Sequence, residues 1–214
     1  MLAPGWKTLI LGDRDSMNQE KRMTATKGYD RARSISFDFD GVLSTLVLGR
    51  AWEKARAGKR RVPLITPVVQ GLKAAVAGLT EGLRRPFPQA EDVLRGLQAS
   101  QKTLYVLTSR TGERVRAAER WLERFAWRNM FDELYFNFEG EDADLFKARI
   151  LRSTAIDVHI DDDSETLSHL SREFPERLFV HMNCYRRKSP EADNIVVVHS
   201  WAEVPGIFFP GGGR

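Results

Sequence analysis

From Ile35 onward, short apolar runs alternate with segments whose apolar residues recur every three or four positions. Ile35, Phe37 and Phe39 alternate with polar neighbours, which predicts a short strand bounded by a turn. After an irregular region, 42–87, a helix is expected over about 88–100, with Val93, Leu94 and Leu97 on one face. A strand follows over 103–108. The spacing of Val115, Ala118, Leu122 and Phe125 then predicts a long helix over about 113–128 with a single apolar stripe. Further strands are expected at 133–138, 157–160, 178–181 and 195–198, with helices over about 143–153 and 164–173. Strand and helix alternating at this spacing predict an α/β fold, a Rossmann-like three-layer α/β/α sandwich with a mainly parallel sheet.

The first strand runs into two carboxylates, Asp38 and Asp40, with Gly41 behind them. Residues two apart on an extended chain point to the same side, and two carboxylates held that close repel. A divalent hard cation with oxygen ligands is the natural remedy. Asp and Gly are also ordinary turn formers, so a surface turn is the competing reading of the pair alone. The rest of the chain adds weight to the first reading. Ligands of such sheets sit beyond the carboxyl ends of the strands. That rule gathers Asp38 and Asp40, Thr108 and Ser109, and Asp161, Asp162 and Asp163 into one place, with Lys147 opening the helix before the last group.

The 214 residues suffice for one domain with a modest insertion. Hydrophobic and charged fractions of 42% and 29% are those of a soluble globular protein, and no stretch reads as a membrane span. A net charge of +4 is too small to argue for nucleic acid, yet it is uneven: residues 50–61 hold six Lys or Arg against one Glu. That run is either a solvated face or a collar that attracts an anionic substrate. Cys184 is the only cysteine, which excludes an internal disulfide and, with no export signal, points to a reducing, cytoplasmic setting. It reads as a packing residue. The four histidines, at 159, 169, 181 and 199, lack metal-type spacing and read as ordinary strand and helix residues.

Four segments in order resemble the motifs of the haloacid dehalogenase-like hydrolase superfamily, over roughly residues 34–200. They are Phe37-Asp38-Phe39-Asp40-Gly41-Val42-Leu43; Leu104-Tyr105-Val106-Leu107-Thr108-Ser109-Arg110; Lys147 within Leu145-Phe146-Lys147-Ala148-Arg149; and Val158-His159-Ile160-Asp161-Asp162. The resemblance implies that Asp38 is a nucleophile forming an aspartyl-phosphate and that Asp40 is the general acid and base. It implies Mg²⁺ held by the Asp38 carboxylate, the Asp40 backbone carbonyl and Asp162, with Asp161 orienting Lys147 or a metal-bound water. Thr108 and the Ser109 amide would hold a phosphoryl oxygen, and Lys147 would neutralise nucleophile and phosphate. Arg149, two residues on, could share that task, and Asp163 reads better as the start of a helix. In the family an Asp at the place of Asp40 goes with phosphatase or phosphotransferase chemistry; members that cleave carbon–halogen bonds lack an acid there.

Sixty-seven residues separate Asp40 from Thr108, more than a flap and one helix need. Thr66 and Pro67 form a helix start, and Val68, Leu72, Val76, Leu79 and Leu83 supply one apolar face. The expected organisation is therefore an N-terminal extension (1–33), a core domain (34–43 and 87–209), a small helical cap inserted at 44–86 and a flexible tail (210–214). The insertion either closes over the site or packs permanently on the core or on a second subunit. The favoured activity is hydrolysis of a phosphorylated small molecule, such as a nucleotide or sugar phosphate. The alternatives are a phosphatase of nucleic-acid ends, prompted by the basic run, and a binding or regulatory protein that keeps the fold without turnover.

Overall fold

The computed structural model describes residues 31–46, 81–186 and 188–209. The basic run at 50–61 and the expected insertion helix lie outside the described residues, as does the tail. Of the expected N-terminal extension, 31–33 are described, and Ala32 is buried in the core.

The described chain runs β1 (Ser34–Phe37), β2 (Ser44–Leu46), β3 (Arg84–Pro86), α1 (Ala90–Ala99), β4 (Thr103–Thr108), α2 (Glu113–Arg124), β5 (Glu133–Phe136), α3 (Ala143–Ser153), β6 (Val158–Asp161), α4 (Ser164–Glu173), β7 (Leu178–Met182), β8 (Ile195–Val198) and α5 (Pro205–Phe208). Six strands form one parallel sheet in the order β5-β4-β1-β6-β7-β8. The sheet is flanked by helices, as the alternation of elements predicts.

Strand alternation divides the core in two. Ile35, Phe37, Leu104, Val106, Val158, Ile160, Leu178 and Val180 pack with residues of α1, α2 and α5. Leu107 and Phe179 point the other way, into a cluster with Phe146 and Leu151 of α3 and Leu167 and Leu170 of α4. The C-terminal turn is tied to the loop after β1: Trp201 stacks on Phe37, and its Nε1 donates to the Val42 carbonyl at 2.9 Å.

One helix boundary needs adjusting. Helix α2 stops at Arg124 rather than near Arg128, because Phe125 leaves helical geometry and Ala126 turns left-handed at φ 58°. The chain then restarts as a short 3₁₀ turn, Arg128–Met130. The boundaries of the insertion also take a definite form: β2 and β3 pair antiparallel, Ser44 with Pro86 and Leu46 with Arg84. The two ends of the inserted segment thus meet on one narrow ribbon beside the end of β1. Among the described residues, no helix is long and apolar enough to cross a membrane.

Candidate active site

The sheet order reverses at β1: the chain adds β4 and β5 on one side of it and β6, β7 and β8 on the other. Ligands favour such a crevice at the carboxyl ends of the strands. Asp38 continues the line of β1, since its N–H donates to the Ile160 carbonyl of β6 at 2.8 Å. Alternation puts Ser36 and Asp38, with His159 and Asp161 of β6, on the face covered by α3. From α3 comes Lys147, a buried ammonium that donates to Asp38 Oδ1 at 2.9 Å and to Asp161 Oδ2 at 2.6 Å.

The three charges share one buried cluster unequally. Burial pushes the Asp38 carboxyl up to about 7 against the pull of Lys147, with the charges of Asp161 and Asp40 adding to the rise. Burial also works against charge on Asp161, yet Lys147 and then His159 hold it well below the usual carboxylate range. Asp161 lies closer to the ammonium and also accepts from the Asp163 N–H at 3.1 Å, so it is the firmly ionised partner. Lys147 itself is held above the ordinary lysine value: burial disfavours its charge, but Asp161 and Asp38 outweigh that cost.

Asp162 completes an acidic trio. Ligand oxygens of Asp38, Asp161 and Asp162 all lie within 4.8 Å of one another. Burial, followed by the charges of Asp161 and Asp38, pushes the Asp162 carboxyl well above its usual range. Ionised together, the three carboxylates would leave two negative charges beyond the one ammonium. That donor set fits a divalent cation of the Mg²⁺ type, which prefers carboxylate oxygens. Gly41 makes room for it. Its φ is +76°, and a Cβ there would sit 2.2 Å from Asp162 Oδ2, so only glycine lets this carboxylate approach the turn.

Asp40 has different company. β1 ends at Phe37, so alternation no longer aligns the two carboxylates, and Asp40 is not one of the trio. Arg110 forks onto it, Nε to Oδ2 at 2.8 Å and Nη2 to Oδ1 at 2.8 Å. Arg84 Nη1 lies 2.6 Å from Oδ1, and Arg114 Nη2 donates to Oδ2 at 3.0 Å. The cation that relieves Asp40 is therefore a guanidinium. Burial would raise this carboxyl, but the Arg110 hydrogen bonds and the arginine charges bring it down to about 2. Arg110 is 1% exposed; it also donates to Glu81 at 2.9 Å and to the Arg114 carbonyl, and its guanidinium lies over the Phe39 ring at 4.4 Å.

The remaining candidates divide cleanly. Thr108 is buried at the end of β4, and because Phe37 pairs with Val106, it lies level with the chain just past Asp38. Ser109 follows it and is half-buried. Arg149 is exposed and pairs with Glu141, Nε to Oε1 at 3.0 Å, so it is not the buried cation. Asp163 caps α4, accepting from the Glu165 N–H at 3.0 Å. Cys184 is half-buried against the core, and burial raises its thiol to about 11.

Two histidines sit in the site's support, where spacing alone gave no sign. His159 Nε2 is 3.2 Å from Asp161 Oδ2. His181, opposite Asp161 on β7, places Nε2 3.2 Å from the Asp162 carbonyl and Nδ1 3.0 Å from Ser189 Oγ. Each member of the acid pair is thus braced by one imidazole.

No family model matches the sequence, and comparison with curated proteins likewise finds no match. Solved structures do resemble it. A Clostridium difficile protein assigned as a phosphatase superposes with a TM-score of 0.59 at 13% identity, over 83% of this chain and 99% of its own. YfnB of Bacillus subtilis, assigned as a HAD-hydrolase and solved bound to magnesium, gives 0.54 at 14%, over 84% and 99%. An L-2-haloacid dehalogenase gives 0.58 at 15%, over 83% and 98%. The fold is that of the haloacid dehalogenase-like hydrolases. Identity this low establishes the fold alone, and these neighbours carry more than one reaction type.

Proposed function

We propose that this chain is a Mg²⁺-dependent phosphatase that hydrolyses a phosphate monoester of a small molecule through an aspartyl-phosphate on Asp38. The observation that carries the reading is the Lys147 ammonium set between Asp38 and Asp161, at 2.9 and 2.6 Å, beside a trio of carboxylates sized for one divalent cation.

Asp38, Asp161 and Asp162 would hold the metal, together with the Asp40 backbone carbonyl. When bound it supplies positive charge that keeps Asp38 ionised and draws charge off the phosphoryl oxygens. Asp38 attacks phosphorus and the leaving oxygen departs; water then attacks the aspartyl-phosphate and frees Asp38. Splitting so slow a hydrolysis into two steps is what a carboxylate nucleophile contributes. Lys147 stays bonded to the nucleophile, neutralises it against the incoming phosphate and stabilises the charge that develops. The Thr108 hydroxyl and Ser109 amide, just past the level of Asp38, take a phosphoryl oxygen.

Asp40 is the acid that protonates the leaving oxygen and the base that later takes a proton from water. In its arginine fork it is an ionised carboxylate, ready for the second task. For the first it would leave the fork and take up a proton from water; Arg110 also holds Glu81, which lies within the inserted segment.

The test is hydrolysis of a generic aryl phosphate by wild type and Asp38→Asn, with Mg²⁺ and with chelator. Activity that needs both Asp38 and the metal supports the reading. Equal rates for the two proteins would defeat it.

A further inference from the structure

Ser36 in β1 and His159 in β6 are almost completely buried, 0% and 1% exposed, at positions where the sheet elsewhere places apolar side chains. They face each other across the strand pair, two residues before Asp38 and Asp161. Ser36 Oγ is 2.8 Å from His159 Nδ1, and His159 Nε2 is 3.2 Å from Asp161 Oδ2. A second acceptor for the serine, the Val158 carbonyl, lies further off at 3.4 Å. Burying an imidazole and a hydroxyl costs free energy that an apolar pair would not, unless every polar atom finds a partner. Of the two neutral tautomers, one satisfies them all. The Ser36 hydroxyl donates to Nδ1, and the Nε2–H donates to the Asp161 carboxylate. The other neutral tautomer would set a bare nitrogen lone pair against a carboxylate oxygen.

Asp161 is where this matters. Its Oδ1 accepts from the Asp163 N–H, and its Oδ2 takes both Lys147 and His159. Without the imidazole only Lys147 holds Oδ2, and carboxylate and ammonium can swing together. We infer that Ser36 and His159 form a relay that locks the Asp161 carboxylate and, through it, aims the Lys147 ammonium at Asp38. His159 is then a positioning residue for the nucleophile, acting through two other side chains and touching neither substrate nor metal. The kinetic side of this inference rests on the phosphatase reading; the tautomer does not. A misaimed Lys147 hurts most where phosphoryl charge develops, so the loss falls on kcat and spares KM.

The experiment has two arms, both on the full chain. Long-range ¹H–¹⁵N NMR, with His159 assigned by the signal missing from His159→Gln, reads the tautomer. A proton on Nε2 is expected; a ring whose only proton sits on Nδ1 overturns the relay. In the second arm, an aryl phosphate with Mg²⁺ is turned over by variants whose fold is checked by thermal unfolding. His159→Phe should lower kcat about 10–100-fold, the range for outer partners that orient metal-site carboxylates, with KM within about twofold. His159→Gln, whose amide N–H reaches the same oxygen, should recover most of that loss. Ser36→Ala, a smaller change, should lower kcat severalfold in the same direction. Wild-type kcat in His159→Phe, or a glutamine variant no better than phenylalanine, overturns the relay. If wild type itself turns over no phosphate ester, the phosphatase reading falls while the tautomer still decides the relay.

Discussion

Arg110 and Asp40 form a two-point ion pair, Nε to Oδ2 and Nη2 to Oδ1, both at 2.8 Å, across 70 residues of sequence. The guanidinium is buried, stacked on Phe39, and shared with Glu81, so it joins the expected acid–base residue to the inserted segment. Removing one partner of a buried pair strands the other. With Arg84 and Arg114 still near Asp40, whose side chain is 31% exposed, Arg110→Met should cost less than the roughly 3–5 kcal/mol of a fully buried pair in urea unfolding. A loss within experimental scatter of zero would contradict this account of the fork.

The same pair sets an acid limit. Asp40 lies at about 2 in the fold. Its unfolded value is about 3.9, so its ion pairs stabilise the fold fully above that pH and lose their effect as pH falls through the folded value. Arg110→Met raises the folded value toward the unfolded one. Its acid-unfolding midpoint should therefore shift to higher pH than wild type, read by far-ultraviolet circular dichroism. An unchanged midpoint would mean that Arg110 does not hold Asp40 down.

Asp38 predicts the opposite slope. Its folded value, about 7, lies above its unfolded one. Between them the native state binds a proton that the unfolded chain has lost, so stability falls as pH rises through that window. Metal-free protein should melt at lower temperature at pH about 8 than at about 5, and Asp38→Asn should flatten this slope. Mg²⁺ at a hundred times its Kd should add about 2.7 kcal/mol at neutral pH by binding the native state only. Melting that ignores both pH and Mg²⁺ would argue against the trio as a cation site.

Lys147 and Arg149 are two residues apart and separate cleanly. Lys147→Met should reduce kcat by at least about 10²-fold, as loss of a charge-stabilising donor does. Arg149→Ala, which removes an exposed pair with Glu141 and a contact over the Phe146 ring, should leave kcat near wild type. Steady-state kinetics on one substrate decide it, and the reverse ranking would move the functional cation to Arg149.

Gly41→Ala offers a structural check on the metal position. The added Cβ meets Asp162 and forces a left-handed backbone on alanine. The variant should fold yet lose most of the melting shift that Mg²⁺ gives wild type. A full shift would place the cation away from Asp162.

Much of this architecture is legible in the chain because buried strands and amphipathic helices impose periodicities. Val93, Leu94 and Leu97, or Val115, Ala118 and Leu122, mark the faces that pack. The site was legible to the extent that its carboxylates sit at strand ends, which Asp38 and Asp161 do. Arg110 was not, since an arginine in Ser-Arg-Thr looks like any surface cation until Asp40 and Glu81 are placed around it. His159 and His181 were missed for a related reason. Their partners lie on neighbouring strands, and register between distant strands leaves no trace in local spacing. The break after Arg124 was hidden because the apolar stripe continues into Phe125 while the backbone turns away.

The account turns on Asp38 carrying the phosphoryl group, and chemical trapping tests that most directly. Acyl phosphates are reduced by borohydride, so protein quenched during turnover with Mg²⁺ and an aryl phosphate, then reduced and digested, should yield homoserine at position 38. Asp38 left intact under turnover, or homoserine at another acid, would contradict it.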